Sequence, residues 1–457
     1  MNSNTRNPAA AGGMARCPLA ALMFARPAAR AAVRTAARTA AMTAELMAAL
    51  LAHAPPASAA DFGADVDSLL AHARLQNPEL AAMQHEVDAA AQRVQPAGAL
   101  PDPMLRVELM NFNNYGSDAR PSLLPNKVGE TRVTLLQQLP GWGKRTLKRD
   151  VAAAEVQQAQ ARAAAAWAEL AAKIKTGYAQ YYAAVGTEKL TLEVLDLMAR
   201  LEQLAQARYA GGLVAQQDAI RAQLEQTAMR SELIALGNDK RMLRARLNAL
   251  LAREAGAPMA DPQALRPLPA VSTLDAQALA ERARANNPLL QAEQARLLGA
   301  ERSRDLAQRN HIPDIAVGIT PSQMGSRITT WSLMFEMNIP LQQGTRRSEQ
   351  RETEAMVGAA RARSAALGNQ LVGELGEQLA GIDAARRSEA LISGQLLPQS
   401  ELSLNSALSA YEAGKVDFAT LLDAQRQIRK ARQDRLKVQV EAQMRLAEIE
   451  RIVGDTL

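Results

Sequence analysis

Side chains that usually carry chemistry are sparse in this chain. Four histidines (His53, His72, His85, His311) stand far apart, and there is one cysteine, Cys17. No Ser-His-Asp, Cys-His or His-x-x-x-His spacing occurs, and there is no P-loop and no G-x-G-x-x-G. Metal sites need clustered donors, and one thiol makes neither a disulfide framework nor a thiolate site. The histidines read as surface or packing residues, so no enzyme activity, metal or cofactor is expected. The acids and tyrosines that do fall into a pattern lie in two matching stretches. Residues 207–223 read ARYAGGLVAQQDAIRAQ, and residues 409–425 read SAYEAGKVDFATLLDAQ. At an unchanging offset of 202, Tyr209, Gly212, Val214, Ala222 and Gln223 fall on Tyr411, Gly414, Val416, Ala424 and Gln425. Asp218 follows the first glycine by six residues and Asp423 follows the second by nine. A carboxylate in a first helical turn complements the positive helix end, so helix capping is the plainest role for both acids.

The elements that must position these stretches are long helices. Residues 144–208 contain no proline and few glycines. Leu190, Val194, Leu197, Leu201 and Leu204 step by four and three, which is a coiled-coil seam. Leu397, Leu404 and Tyr411 step by seven. Return helices are expected over 213–253 and 415–453, and shorter helices over 65–97 and 276–310. The duplication reaches further. NPELAAMQHEVDAAAQR at 77–93 answers NPLLQAEQARLLGAERS at 287–303, and LPDPMLRVEL at 100–109 answers IPDIAVGITP at 312–321. QLPGWGKR at 138–145 answers NIPLQQGTRR at 338–347. Two repeats are therefore expected, 61–253 and 276–454, each running helix, strand, strand, long helical hairpin. The Pro-rich 254–275 reads as a surface connector between them.

Four strands are expected, at about 104–111, 130–139, 314–321 and 327–340. The fourth alternates most cleanly. Trp331, Leu333, Phe335, Met337 and Ile339 fall on one face, with Thr330, Ser332, Glu336 and Asn338 on the other. A membrane barrel strand has this pattern, and so does the edge of a soluble sandwich. Four strands neither build a sandwich core nor close a barrel, and open edges do not occur in lipid. Either the strands cover something else, or several chains pool them. Three chains would supply twelve, an even number in the outer-membrane range. The fold class is thus mainly α with a small β part.

Composition agrees. Apolar residues are 48% but aromatics only 3%, and alanine dominates, which favours long, closely packed helices over a large globular core. The formal charge of +6 is local: residues 1–60 hold six arginines and one acid, Glu45, leaving 47 basic against 46 acidic residues elsewhere. No basic patch stands out in the body, so nucleic acid is not an expected partner. Basic residues, then MTAELMAALLAHA, then PPASAA read as a leader removed near Ala60. No later apolar run is long enough for a transmembrane helix.

Leader, paired repeats and matching turns resemble the TolC-type outer-membrane efflux channels over about 61–453. LPDPML and LPGWGKR are most similar to the CzcC-like heavy-metal branch. The resemblance implies a homotrimer in the bacterial outer membrane, with a twelve-stranded barrel and a coiled-coil helical tunnel through the periplasm. It implies two further partners, a periplasmic adaptor and an inner-membrane RND-type pump. The duplicated stretches would be the tips of the two hairpins, with Gly212, Leu213, Val214, Ala215, Gly414, Lys415 and Val416 touching the adaptor. Asp218, Tyr411 and Asp423 match the family's periplasmic gate, where three-fold symmetry would make each acid a ring favouring cations. Val416 and Thr420 depart from the family's arginine and aspartate at that gate, and Lys415 and Asp417 are the residues placed to substitute. Trp331, Leu333 and Phe335 would face lipid. Efflux duct is the expected function, with heavy-metal cations the cargo of the branch.

Three other readings fit less. A coiled-coil scaffold explains the heptads but not strands at equivalent places in both halves. The adaptor of such a pump would need a β-rich region flanking one hairpin. An enzyme would need a catalytic arrangement that is absent.

Overall fold

A computed structural model of the 457-residue chain describes residues 62–113, 118, 120–212 and 214–457. The expected leader, Leu213 and part of the loop at 111–127 lie outside the described residues.

Each half opens with two helices broken at Asn-Pro. Helix α1 (Val66–Gln76) stops at Asn77, and α2 (Pro78–Gly98) starts at Pro78. Helices α5 (Ala276–Asn286) and α6 (Pro288–Arg309) break the same way at Asn287. Proline disfavours helical backbone in the residue before it, yet suits the first helical position itself. Both asparagines are buried, and each does two jobs. Asn77 Oδ1 accepts from Glu79 N at 2.8 Å and Leu80 N at 3.2 Å, capping α2, while its Nδ2 donates to Leu250 O at 2.8 Å. Asn287 Oδ1 accepts from Leu290 N at 2.9 Å, and its Nδ2 donates to Ile452 O at 2.8 Å. The repeated asparagine therefore starts one helix and stitches it to the far end of the return helix.

Strands β1 (Met104–Met110), β2 (Glu130–Leu139), β3 (Ile315–Met324) and β4 (Arg327–Met337) form one antiparallel sheet in chain order. Strand β3 runs past the expected end at Pro321, which faces Trp331 across the pair, and the register shifts just beyond it at Ser322/Gln323. Strand β4 ends at Met337, short of the expected 340; Asn338 N still donates to Asp314 O at 3.1 Å, and Pro340 has no N–H to carry the ladder further. Strands β1 and β4 are the open edges.

From the sheet run the long helices. Helix α3 (Lys144–Ala210) has 67 residues, about 100 Å at 1.5 Å per residue. Helix α4 (Gln216–Leu250) returns along it. In the second half, α7 (Gln343–Leu391) passes through a π turn (Ile392–Leu396) into α8 (Leu397–Glu412), and α9 (Phe418–Val453) returns. Pro398 accounts for the π turn: it has no N–H for the carbonyl four residues back, so the ladder must widen. Helix α3 is the hub, packing on α2, α4, α6 and α9.

Burial falls into clusters along this frame. Val66, Leu69, Ile174, Tyr178, Tyr181 and Leu247 pack in the first half, and Leu279, Leu371, Leu375, Ile382 and Ile449 in the second. A third cluster joins the two tips. The connector at 254–275 is more than a surface strap. Its Arg266 binds Glu450 of α9 through both carboxylate oxygens, at 3.1 and 3.0 Å, and Lys175 of α3 reaches the same carboxylate at 2.7 Å. Asp261 accepts from Tyr181 Oη at 2.7 Å and pairs with Lys240 at 3.2 Å. Burial alone would raise the Glu450 pKa, but hydrogen bonds from Arg266 and Lys175 outweigh it and hold the carboxyl below the usual glutamate range.

Two outcomes follow for the purified protein. Asn287→Ala loses cap and stitch together and is expected to lower unfolding stability by about 2 kcal/mol, with Asn287→Asp, which keeps the cap, costing less. Denaturant midpoints of the two variants check the order. Glu450→Gln leaves Lys175 and Arg266 without a counter-charge and is expected to cost about 3–5 kcal/mol. Because the folded pKa is depressed, this stability is present above the ordinary glutamate range and lost as pH falls through the lower folded value. The wild-type melting temperature should drop steeply with acid and that of Glu450→Gln much less.

Candidate functional site: paired helix tips and an exposed apolar sheet face

At the first tip, Gly211 N donates to Ala207 O at 3.2 Å and Gly212 N to Tyr209 O at 2.9 Å. At the second, Gly414 N donates to Tyr411 O at 3.0 Å and Lys415 N to Ala410 O at 2.8 Å. Gly212 and Gly414 have φ of 70° and 73°, the left-handed region that glycine enters without a Cβ clash. A Cβ on Gly212 would meet nothing within 4 Å, so there the backbone angle, not crowding, demands glycine. The return helices start differently. Ala215 gives α4 no side-chain cap, whereas Asp417 caps α9, accepting from Thr420 N at 3.0 Å and Thr420 Oγ1 at 2.6 Å. The Thr420 hydroxyl and amide hold the Asp417 carboxyl below its usual range. Asp417 is thus engaged in capping. Lys415 forms no ion pair among the described residues, and Val416 is half-buried against the tip cluster.

The matched tyrosines are not equivalent. Tyr411 is 1% exposed, its ring edge-on to Phe418 at 5.5 Å; Tyr209 is 47% exposed. Over Tyr411 lies Arg208 of the first tip, 5.1 Å from the ring centroid. Its guanidinium donates to Tyr411 O and, at 3.2 Å, to Glu412 O. Met198, Leu201 and Ala222 of the first hairpin pack with Tyr411, Phe418 and Leu421 of the second, so the tips share one core. Asp218 is half-buried beside it. Burial raises its pKa, Asp417 adds to the rise, and Arg221 and Arg208 oppose it. Burial also raises Tyr411, aided by the charge of Asp218.

Of the three expected gate residues, the structure brings together Asp218 and Tyr411. Asp423 stands apart, exposed on α9, its carboxylate 3.8 Å from Arg426. Sequence reading missed Arg208. The one available signal was a break in the repeat, because its counterpart at the 202-residue offset is Ala410.

At the other end, the sheet is inside out for a soluble domain. Leu105, Leu135, Ile319 and Leu333 form one row across all four strands, and all are exposed. Trp331, Phe335 and Met337 share this face, Phe335 at 73% exposure. The opposite face carries Thr134 and Thr320, buried and bonded Oγ1 to Oγ1 at 2.8 Å, with Ser322, Arg132 and Glu130. No helix among the described residues is long and apolar enough to cross a membrane. No group of three or more His, Cys, Asp or Glu residues placed to hold a metal occurs among them either.

An apolar sheet turned outward, on long helices with duplicated tips, is the architecture to be set beside known proteins. The chain belongs to the outer membrane efflux protein family, whose model matches residues 69–253 and 279–455, one match in each half. It is 25% identical over 405 residues to the cobalt-zinc-cadmium resistance protein CzcC of Cupriavidus metallidurans, covering 85% of this chain and 90% of that one. Its fold is that of solved TolC-type channels. The outer-membrane channel OprN superposes with TM-score 0.72 at 19% identity over 85% of this chain and 89% of that one. VceC of Vibrio cholerae gives 0.72 at 17% over 86% and 96%, and CusC gives 0.72 at 16% over 85% and 92%.

The raised Asp218 pKa has a testable sign. The ionised form is disfavoured in the folded tip, so tip stability is full below the ordinary aspartate range and falls as pH rises through the raised value. Amide protection factors at 216–222 should therefore decline across that window in the wild type and stay level in Asp218→Asn.

Proposed function

We propose that three copies of this chain form the exit duct of a tripartite efflux system in the bacterial outer membrane. The observation that carries the reading is the sheet. Its exposed face is apolar, its opposite face is polar, and both edge strands are open. Hydrocarbon tolerates no open edge, and three such sheets joined edge to edge give a closed twelve-stranded barrel with a polar interior. Trp331, Leu333 and Phe335 then face lipid. The helices continue the barrel as a periplasmic tunnel of antiparallel coiled coils, and the two halves are copies of one unit, which is why the tip hairpin occurs twice.

The tips are the periplasmic gate. Asp218, Tyr411 and Asp423 narrow the mouth, and three-fold symmetry turns each aspartate into a ring that favours cations. Gly212, Leu213, Val214, Ala215, Gly414, Lys415 and Val416 meet a periplasmic adaptor, which links the duct to an inner-membrane RND-type pump. The likeness to CzcC supports heavy-metal cations as cargo. A scaffold reading leaves the exposed apolar face of the sheet without a partner.

Planar-bilayer recording of the purified protein tests this. Cation-selective channels are expected, with Asp218→Asn and Asp423→Asn each reducing the cation-to-anion permeability ratio several-fold. Absence of any conductance, even after removal of the tip contacts by Arg208→Ala, would contradict the reading.

A further inference from the structure

The geometry points to a binding surface for the phosphates of anionic phospholipids where the helices leave the sheet. Two long helices begin there, and neither has an acid in its first turn. Helix α3 opens Lys144-Arg145-Thr146-Leu147-Lys148-Arg149, and α7 carries Arg346, Arg347 and Arg351 in its first nine residues. Cations at a helix N-terminus oppose the macrodipole, so the arrangement costs stability unless an outside anion offsets it. Arg309, the last residue of α6, belongs to the same place: a Cβ on Gly143 would lie 3.7 Å from its guanidinium. Lys144 and Arg145 are spent within the protein, on Asp314 at 2.9 Å and Gly98 O at 2.9 Å. Arg346 is spent on Asn310 O. Lys148, Arg149, Arg309, Arg347 and Arg351 are exposed, and among the described residues none has a carboxylate within ion-pair distance. Asp314, bonded to Lys144, also feels the Lys148 charge at longer range; along the helices themselves the first acids, Asp150 and Glu349, come only after the first cations.

Position selects the anion. Just before these cations the chain exposes Trp142 at 87% and Leu341 at 81%, with Ile339 exposed two residues before Leu341. Sheet face, Trp142 and Leu341, then free cations reproduce the succession hydrocarbon, interface, headgroup. At 1.5 Å per residue, Lys148 and Arg351 lie within about 12 Å of their helix starts, a depth that headgroups can cover. The surface rests on the outer-membrane reading above. It adds that the periplasmic leaflet holds the duct in register through its anionic lipids, phosphatidylglycerol or cardiolipin.

The test uses full-length protein extracted in a neutral detergent. Its thermal midpoint is followed as phosphatidylglycerol is added, with phosphatidylcholine of the same chains as reference, for wild type and for Lys148→Gln/Arg347→Gln. Neither side chain makes an ion pair, so the double variant should fold with an unchanged midpoint in detergent alone. Stabilisation by phosphatidylglycerol but not phosphatidylcholine is expected, weakened at least tenfold in concentration dependence in the variant and by added salt. Equal stabilisation by both lipids, or an unaltered response in the variant, would overturn the proposal. The duct reading is tracked separately, since the variant should still conduct. A variant that responds to lipid as wild type yet conducts removes this proposal only, and a wild type that never conducts removes the duct reading.

Discussion

A peptide group in hydrocarbon must find its hydrogen-bond partner within protein, and that constraint governs how this chain is built. The four strands satisfy each other internally but leave β1 and β4 open. Their apolar face is turned outward in a row from Leu105 to Leu333. Such a sheet is unstable as a solitary unit in either solvent. In water it exposes an apolar band, and in lipid it exposes two edges. Closure with neighbouring copies, as proposed above, would remove both defects.

The helical part answers a different problem, how to keep helices of about 100 Å in register over their length. One large core cannot do it, and the chain instead places fixed points at intervals. Asn77 and Asn287 bind the start of one helix to the end of another. Glu450, held by Lys175 and Arg266, ties both halves and the connector into one buried ionic knot. At the far end Tyr411, Phe418 and Arg208 fasten one tip to the other. Removing one partner from a buried ionic group costs far more than the intact group contributes. The Glu450 knot is therefore costly to break, whatever its net contribution when intact.

Legibility in the sequence followed the range of the interaction. Strand β4 was readable because its alternation is local, and the helices because their heptads are. The Asn-Pro repeats were visible, but not their purpose, since the partners Leu250 and Ile452 lie more than 160 residues away. The connector read as surface for the same reason: nothing near Arg266 or Asp261 announces Glu450 or Tyr181. Repeat alignment sets Tyr209 opposite Tyr411 at the tips, but it does not say how deeply each is buried. Burial separates them, because only Tyr411 lies beneath the neighbouring tip. The π turn at Ile392–Leu396 lies just before the heptad run that starts at Leu397 and was not read, although Pro398 stood in view.

The most direct test of the account is the mass of the detergent-extracted protein from the outer-membrane fraction, by light scattering corrected for bound detergent. The account predicts three chains per particle, at three times the mass of the mature chain. A monomer that stays in solution without detergent would contradict it, because open edges and an exposed apolar sheet face would then need no neighbours.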